Sequence, residues 1–366
     1  MSHRVLMLGG KRAGKSSLLA SIYYTLKYGN SLSCNCEDKT PFQSYTLEEK
    51  RKEIEKYIRR FRIISGDKKQ KPLFLVDAGE TLERGVYTLR ITTGNAHLDL
   101  DFIDVPGEWM TANSIGHADL LEEIRRTDVF LIAIDTPMLM DAPDHISRKY
   151  NRINAIQSVL DDGELLKVDG DKKLIVFCPI KCEKWIQHGQ TSEVINKIRT
   201  AYANIINTWL VPEVEMVIIP VQTAGGIEFV KQLPGKMIQR NQYTRVEELC
   251  SVDETSSRYL MPDGFFYDFN SNFLVREDPV KNEYPLSWFQ INSNGYSPKS
   301  CENVTLSIVR FLVNKEIEYC TQRKRAKKWW QIWKPPFGRY LSGFQRFMQE
   351  NADERASEIL ITDYVK

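Results

Sequence analysis

The chain has 366 residues, of which 42% are apolar and 27% charged, and this composition excludes a disordered or fibrous protein. A net charge of +2 gives no overall field that would attract a polyanion, so nucleic acid is not an expected partner. No apolar run reaches about 18 residues, and the first apolar stretch leads into a motif, so neither a membrane span nor a signal peptide is expected. The expected location is the cytoplasm, with seven reduced cysteines.

Short β-type runs alternate with helical sequence along most of the chain. Strands are predicted at Arg4–Leu8, Val86–Thr92, Leu98–Ile103, Val129–Ile134, Leu174–Phe177 and Met216–Ile219, and helices at Ser16–Lys27, Leu47–Phe61 and Asn303–Glu318. A turn at residues 93–95 joins the second and third strands into a hairpin. This order predicts an α/β fold with three layers, in which helices cover both faces of a mostly parallel sheet with one antiparallel hairpin strand.

Two polar stretches interrupt this pattern, and a tail follows it. The predicted domain covers residues 1–320, with insertions near 30–80 and 228–298, and the predicted tail covers residues 321–366. Poor periodicity and many turn residues mark the second insertion.

A phosphate-binding motif follows the first strand. Residues 9–16 read GGKRAGKS and fit G-x-x-x-x-G-K-[ST] between an apolar strand and a helix. Glycines let backbone N–H groups surround phosphates, and the helix N-terminus favours negative charge. Lys15 is expected to reach the β- and γ-phosphates, and the Ser16 hydroxyl to ligate Mg²⁺. The other predicted nucleotide contacts in this segment are Gly9, Gly10, Lys11, Arg12, Ala13, Gly14 and Ser17.

The second hairpin strand runs into the sequence Asp-Val-Pro-Gly-Glu. Asp104 at the strand end can hold Mg²⁺ through a bound water, and the Gly107 N–H can turn toward a γ-phosphate. An Asp-Pro-Gly turn that merely ends a hairpin is the competing interpretation. The position after a phosphate-binding loop favours the metal and phosphate roles. Thr81, before the first hairpin strand, is the candidate switch threonine and a further metal ligand.

The last two core strands end in Lys181-Cys182-Glu183 and in Gln222-Thr223-Ala224. Together with the D-x-x-G motif at Asp104–Gly107, these segments resemble P-loop GTPases of the translation-factor and Ras-like (TRAFAC) class. Within it, the chain is similar to the bacterial double-GTPase families, whose genes tend to occur in pairs. The resemblance covers about residues 4–228 and the last predicted helix. It implies a P-loop fold, GTP and GDP as ligands, and a second GTPase or an effector as partner.

The guanine-recognition motifs depart from the family pattern. Ile180 replaces the Asn or Thr of [NT]-K-x-D, and Glu183 replaces its Asp. Guanine offers N1–H and N2–H as paired donors, which a glutamate still fits, and the Lys181 stem can lie along the base. The resemblance further implies that Thr223 and Ala224 form the fifth motif, with the Ala224 N–H facing the guanine oxygen. A solvated charged turn at 181–183 is the competing interpretation.

The residue after Gly107 is Glu108, where Ras-like enzymes commonly carry a glutamine. A carboxylate beside the γ-phosphate adds repulsion, so slow hydrolysis is predicted. The alternative is that Glu108 acts as a base. Arg12 is a candidate arginine finger, with a solvated loop charge as the alternative. The predicted function is a slow GTPase that acts as a switch; a scaffold with little hydrolysis and an ATPase are the alternatives.

The tail combines basic and aromatic residues. Residues 323–334 read RKRAKKWWQIWK, and Phe337, Tyr340, Phe344 and Phe347 continue the aromatic series. Basic side chains attract anionic headgroups, and tryptophan favours the membrane interface. Docking of the aromatics on the protein itself or on a partner is favoured over peripheral membrane contact, and nucleic acid is the least favoured.

Overall fold

An eight-stranded sheet forms the framework of the protein in the computed structural model. The residues that the structure describes are 2–10, 13–29, 34–40, 46–65, 73–74, 84–165, 172–233, 238–239, 258–260, 265–268, 286–291, 295–326, 335–351 and 359–360. The strands are β1 (Ser2–Leu8), β2 (Asn35–Asp38), β3 (Leu73–Phe74), β4 (Gly85–Thr93), β5 (Ala96–Asp104), β6 (Val129–Asp135), β7 (Lys173–Ile180), β8 (Val214–Ile218), β9 (Ile227–Leu233), β10 (Ile238–Gln239), β11 (Arg258–Leu260), β12 (Phe265–Asp268), β13 (Leu286–Ile291) and β14 (Ile359–Leu360).

Helices precede and follow most of the central strands. They are α1 (Lys15–Tyr28), α2 (Leu47–Ser65), α3 (His117–Arg126), α4 (Thr136–Met140), α5 (Asp144–Tyr150), α6 (Ile153–Asp162), α7 (Glu183–Gln187), α8 (Thr191–Ala201), α9 (Ala203–Thr208), α10 (Glu302–Ala326) and α11 (Pro335–Glu350). A short 3₁₀ helix covers Gly107–Met110. Each helix predicted from the sequence is present, and most predicted strands extend by one to three residues at an end.

The strand order across the main sheet is β14-β8-β7-β6-β1-β5-β4-β2. The five strands from β8 to β5 are mutually parallel, and β4 pairs antiparallel with β5 from Gly85↔Asp104 to Thr93↔Ala96. The predicted three-layer α/β fold with one hairpin is therefore confirmed. Two antiparallel edge strands, β2 and β14, were not predicted, because each is too short to produce a hydrophobic pattern.

Alternating side chains of the central strands supply two separate cores. In β1, Leu6 and Leu8 face a core with helices α3, α6 and α8, whereas Val5 and Met7 face a core with α1 and α10. Successive strand residues point to opposite faces, so a strand covered on both faces is apolar throughout. All residues of β6 and β7 are buried for this reason. Because the central strands are parallel, their carboxyl ends lie at the same edge of the sheet.

The two predicted insertions share a second, three-stranded sheet. Strand β3, from the first insertion, pairs antiparallel with β13 of the second, and β13 also pairs with β9. Phe229 on β9 stacks on Trp185 of α7 with ring centroids 5.4 Å apart, which connects this sheet to the main core. A separate sheet has the order β10-β12-β11. Long-range pairing of this kind leaves no signal in a local sequence pattern.

The C-terminal part of the chain packs on the nucleotide-binding domain predicted from the sequence. Helix α10 continues through residue 320 to Ala326, so no helix end marks the predicted boundary between 320 and 321, which stays a prediction. Phe344 and Phe347 of α11 are buried in the α1-side core. Residues 327–334 of the basic tail lie outside the described residues. None of the helices in the described ranges has the length and hydropathy required to cross a bilayer.

Candidate functional site

The described residues of the loop between β1 and α1 include two glycines with positive φ. Gly9 has φ 153° and Gly14 has φ 100°, both in the region that favours glycine. A Cβ on Gly9 would stand 2.7 Å from the Ala133 carbonyl oxygen, because the loop lies directly against β6. Helix α1 begins at Lys15, so the N-terminal end of its dipole lies at the end of this loop. The loop can therefore accept an anion at the helix N-terminus.

Three polar side chains converge beside this loop. The Ser16 hydroxyl donates a 2.7 Å hydrogen bond to Asp104 Oδ2, and Lys15 Nζ lies 3.9 Å from Asp104 Oδ1. Asp104 is fully buried at the end of β5, where its register partners are Met7 and Gly85. Parallel strands β1 and β5 end at the same edge, which explains why residues 88 positions apart along the chain meet. A hydroxyl, a carboxylate and an ammonium group are thus assembled at the phosphate loop.

The segment after Asp104 forms a turn and the 3₁₀ helix. Gly107 is buried, whereas Glu108 is exposed. The turn is closed by the Trp109 N–H, which donates to the Pro106 carbonyl at 3.0 Å, and by the Thr111 N–H, which donates to the Glu108 carbonyl at 2.9 Å. The Glu108 carboxylate therefore lies on the solvent side of this segment, whereas Gly107 is covered.

The end of β7 packs against the phosphate loop. A Cβ on Gly14 would stand 2.8 Å from Ile180 Cδ1 and 3.8 Å from Lys181 Cε. Lys181 has φ 58°, a left-handed conformation that is costly for a side chain other than glycine. Its ammonium group lies 2.5 Å from Asp135 Oδ2 at the end of β6. The altered motif thus places an apolar isoleucine and an ion-paired lysine beside the phosphate loop.

Glu183 is joined directly to the predicted fifth motif. Its Oε1 accepts hydrogen bonds from the Ala224 N–H at 2.8 Å and the Gly225 N–H at 3.0 Å. Burial raises the pKa of the Glu183 carboxyl above its usual value, and these two N–H groups act in the opposite direction. The Ala224 N–H therefore points at Glu183, and it can reach a guanine oxygen only if this hydrogen bond is exchanged.

Several contacts hold the fifth-motif loop in place. The Thr223 carbonyl accepts a 2.8 Å hydrogen bond from the Ser21 hydroxyl of α1, and the Ser297 N–H donates to the Ala224 carbonyl at 2.9 Å. Gly225 has φ 70°, and a Cβ there would stand 1.7 Å from the Ser297 carbonyl oxygen, so only glycine fits. The loop is thereby fixed between α1 and the segment before α10.

The structure brings most of the predicted site residues together. Those assembled at the carboxyl ends of β1, β5, β7 and β8 are Gly9, Gly10, Ala13, Gly14, Lys15, Ser16, Asp104, Gly107, Glu108, Lys181, Glu183, Thr223 and Ala224. Ser17 lies in the first turn of α1. Lys11, Arg12 and Thr81 lie outside the described residues, so their predicted roles stay predictions.

A protein-family model matches the N-terminal part of the chain. The family model named Double-GTPase 2 matches residues 3–215, which is more than half of the chain. The chain belongs to the Double-GTPase 2 family. The resemblance predicted from the motifs is thus confirmed, and the protein is a GTP-binding domain of the P-loop GTPase fold.

Other comparisons add little to this assignment. No curated protein matches the chain. Among solved structures, the chain is similar to the crystal structure of the S. cerevisiae Ski7 GTPase-like domain, bound to GDP and inorganic phosphate. That similarity has 18% sequence identity and a TM-score of 0.35 over 61% of this chain. The chain spans 43% of the length of that structure.

The sequence analysis of this Double-GTPase 2 chain missed several residues at the site. Asn151 is fully buried and its Oδ1 accepts a 2.8 Å hydrogen bond from the Asp135 N–H. Asp135 also caps α4 by accepting from the Met138 N–H at 2.9 Å. Asp135 could have been found, because it comes at the end of a predicted strand, as Asp104 does. Asn151 and Ser297 carry no such signal, since both come from irregular segments.

Proposed function

We propose that this protein binds GTP with Mg²⁺ and hydrolyses it slowly to GDP and phosphate, acting as a nucleotide-dependent switch. The observation that carries the proposal is the 2.7 Å hydrogen bond between Ser16 and Asp104, with Lys15 beside it at the helix N-terminus. A P-loop GTPase requires a hydroxyl and a carboxylate next to the phosphates, and a lysine directed at them. The short distances among these three groups at one edge of the sheet support the proposal.

The oxygen atoms of Ser16 and Asp104 fit Mg²⁺. This cation prefers oxygen ligands, and it is commonly held by one or two protein groups while water and substrate phosphates complete the shell. When bound, Mg²⁺ neutralises charge that develops on the phosphate oxygens. Lys15, 6% exposed, supplies a second positive charge directed at the same oxygens. Thr81 is the proposed further ligand, from the segment that precedes β4.

Slow hydrolysis is proposed from the residues around Gly107. The Gly107 N–H is the proposed contact with the γ-phosphate, and Glu108 follows it with an exposed carboxylate. The negative Glu108 carboxylate repels the negative γ-phosphate. A neutral glutamine at this position would not add this repulsion. We therefore expect a rate at or below about 10⁻³ s⁻¹ without a partner.

Guanine rather than adenine is proposed as the base. Guanine presents two neighbouring N–H donors, which match the two oxygens of the Glu183 carboxylate, whereas adenine presents an acceptor at N1. Lys181, fixed by Asp135 at 2.5 Å, places its stem beside Gly14, where the base and sugar adjoin the phosphate loop. The proposed pairing exchanges the Glu183–Ala224 hydrogen bond, so that the Ala224 N–H becomes available to the guanine oxygen.

The segment from Gly107 to Ile115, called the switch segment below, is proposed to contact a second GTPase or an effector. Ile115, shortly after the 3₁₀ helix, is fully exposed, although large apolar side chains in the described residues are nearly all covered. If the position of Gly107 depends on whether the γ-phosphate is bound, loss of the γ-phosphate would move this segment and the exposed Ile115. In GTPases, segments of this kind are commonly ordered when GTP is bound and released after hydrolysis.

Two measurements test the proposed function. Nucleotide released from purified, denatured protein should be GDP or GTP, identified by chromatography, and not ADP or ATP. Single-turnover hydrolysis of radiolabelled GTP should then proceed with Mg²⁺ and stop with EDTA, with Lys15→Ala as the inactive control. Tight GTP binding without any hydrolysis would favour a scaffold, and release of adenine nucleotide would favour an ATPase.

A further inference from the structure

Arg152 lies against the phosphate loop, although its position in the sequence is far from any nucleotide motif. A Cβ built on Gly10 would stand 3.7 Å from Arg152 Cγ and 2.0 Å from the Tyr150 carbonyl oxygen. The turn between α5 and α6 is therefore packed directly on the backbone of the phosphate loop. The Arg152 side chain begins at this contact and extends from it.

The backbone at Arg152 is held in an uncommon conformation. Its φ of 54° and ψ of 33° are left-handed, a region that residues other than glycine rarely occupy. Neighbouring contacts fix it: Asn151 is fully buried against Asp135, and the Ile156 N–H donates to the Arg152 carbonyl at 2.9 Å. Strain that the surroundings maintain in this way is concentrated at functional sites. Here it determines the direction in which the arginine leaves the turn.

The guanidinium of Arg152 spans from the phosphate loop to the switch segment. Its Nη1 donates a 3.0 Å hydrogen bond to the Thr111 hydroxyl, four positions after Gly107. The side chain is half-buried, and within the described ranges no carboxylate forms an ion pair with it. A neutral hydroxyl is a weaker partner for guanidinium than a phosphate oxygen, which forms a charge-assisted hydrogen bond. The contact with Thr111 is thus readily exchanged when a triphosphate is present.

Arg148 provides an internal comparison on the same segment. Its guanidinium donates to the Ala201 carbonyl at the C-terminal end of α8, at 3.4 Å. The two arginines share one short stretch of chain and the same charge. They differ in whether the guanidinium extends between the phosphate loop and the switch segment.

We propose that Arg152 is a catalytic residue for GTP hydrolysis, which leaves Thr111 and contacts the γ-phosphate oxygens in the transition state. The inference rests on the proposed function. In the reaction, the water oxygen forms a bond to the γ-phosphorus while the bond to the β,γ-bridging oxygen breaks. The electron pair of that bond remains on GDP; one proton of the water stays on the attacking oxygen and the other passes to another oxygen of the released phosphate. The Arg152 guanidinium donates hydrogen bonds to these oxygens and stabilises their shared negative charge.

The test compares single-turnover hydrolysis and nucleotide affinity in four variants of the full chain. Arg152→Ala should lower the hydrolysis rate at least about 100-fold, since an arginine supplied in cis contributes at least that much. Its Kd for GDP should stay within about threefold, because the charge acts on the γ-phosphate. Arg148→Ala should match the wild type in both measurements. Thr111→Val, which removes the competing hydroxyl, should hydrolyse GTP as fast as the wild type or faster.

A second substitution separates loss of charge from loss of folding. Arg152→Asn removes the guanidinium and keeps a side chain that tolerates the left-handed backbone, so it should bind GDP normally and hydrolyse as slowly as Arg152→Ala. The wild type should form a complex of GDP with aluminium fluoride, and Arg152→Asn should not form it. Hydrolysis by Arg152→Asn within about threefold of the wild-type rate would overturn the role of Arg152 and leave the proposed function in place. A wild type that binds GTP and never hydrolyses it would overturn both this inference and the proposed function.

Discussion

The Glu183 carboxylate accepts a 2.8 Å hydrogen bond from the Ala224 N–H, so the two residues expected to recognise guanine are bonded to each other. One lies after β7 and the other after β8, and adjacent parallel strands bring them together. A buried carboxylate without a partner would be costly. The Ala224 and Gly225 N–H groups therefore hold Glu183 in position, and base binding must compete with this arrangement.

Base selectivity should depend on pH through Glu183. Burial raises the pKa of this carboxyl above 4.5, so the ionised acceptor that guanine requires is lost as pH falls through the raised value. The ratio of the Kd for ADP to the Kd for GDP should therefore rise as the pH increases from the usual carboxyl range through the raised pKa of Glu183. Glu183→Gln should lower the ratio about 30-fold or more, as expected for a charged hydrogen bond, and remove its dependence on pH. Calorimetry at several pH values measures this ratio of Kd values. The control is Glu193→Gln, at an exposed position. A ratio that stays constant with pH contradicts the role of Glu183.

Phosphate binding should depend on Lys15 and Ser16. Lys15→Ala removes the ammonium that lies 3.9 Å from Asp104 and should reduce GTP affinity by at least about 100-fold. Ser16→Asn should weaken binding of GTP with Mg²⁺ more than binding of GDP, because the hydroxyl is the proposed metal ligand. Fluorescent nucleotide titration measures both effects. Lys52→Ala on α2, whose side chain is 65% exposed, is the control. Normal GTP binding by Lys15→Ala is the result that contradicts the site.

Glu108→Gln separates two roles of the glutamate. If Glu108 only repels the γ-phosphate, the neutral variant should hydrolyse GTP as fast as the wild type or faster, and this is the outcome that we expect. If Glu108 is a general base, the rate should fall about 100-fold or more. Single-turnover assays decide between these outcomes. Glu122→Gln, on the exposed face of α3, provides the control for loss of a surface charge.

The C-terminal helix should contribute to folding of the GTP-binding domain. Phe344 is 0% exposed in the core beside α1, so Phe344→Ala should lower the free energy of unfolding by about 3–5 kcal/mol. Gln345→Ala, at the neighbouring exposed position, should change it by less than about 0.5 kcal/mol. Urea unfolding followed by circular dichroism measures both. Equal stability of the two variants would mean that α11 is not part of the folded domain.

The sequence by itself determined the central fold and the phosphate site. The continuous apolar runs of β6 and β7 predict strands buried on both faces, and the glycines with Lys15 and Ser16 predict a phosphate loop from eight consecutive residues. Such features depend on neighbours along the chain, which a sequence displays directly. Asp104 was found for the same reason, since it directly follows an apolar strand.

Only the tertiary structure decided which distant segments meet at that site. It placed Ser297 on the Ala224 carbonyl, bonded Glu183 to the fifth-motif loop and brought Arg152 to Gly10 and Thr111. It also joined the two insertions through β3 and β13, and it placed Phe344 in the core beside α1, where the sequence had left docking on the protein itself or on a partner open. These contacts arise from closure of long loops and from strand order. Neither leaves a periodic pattern in the sequence, because the interacting residues come from short or irregular segments.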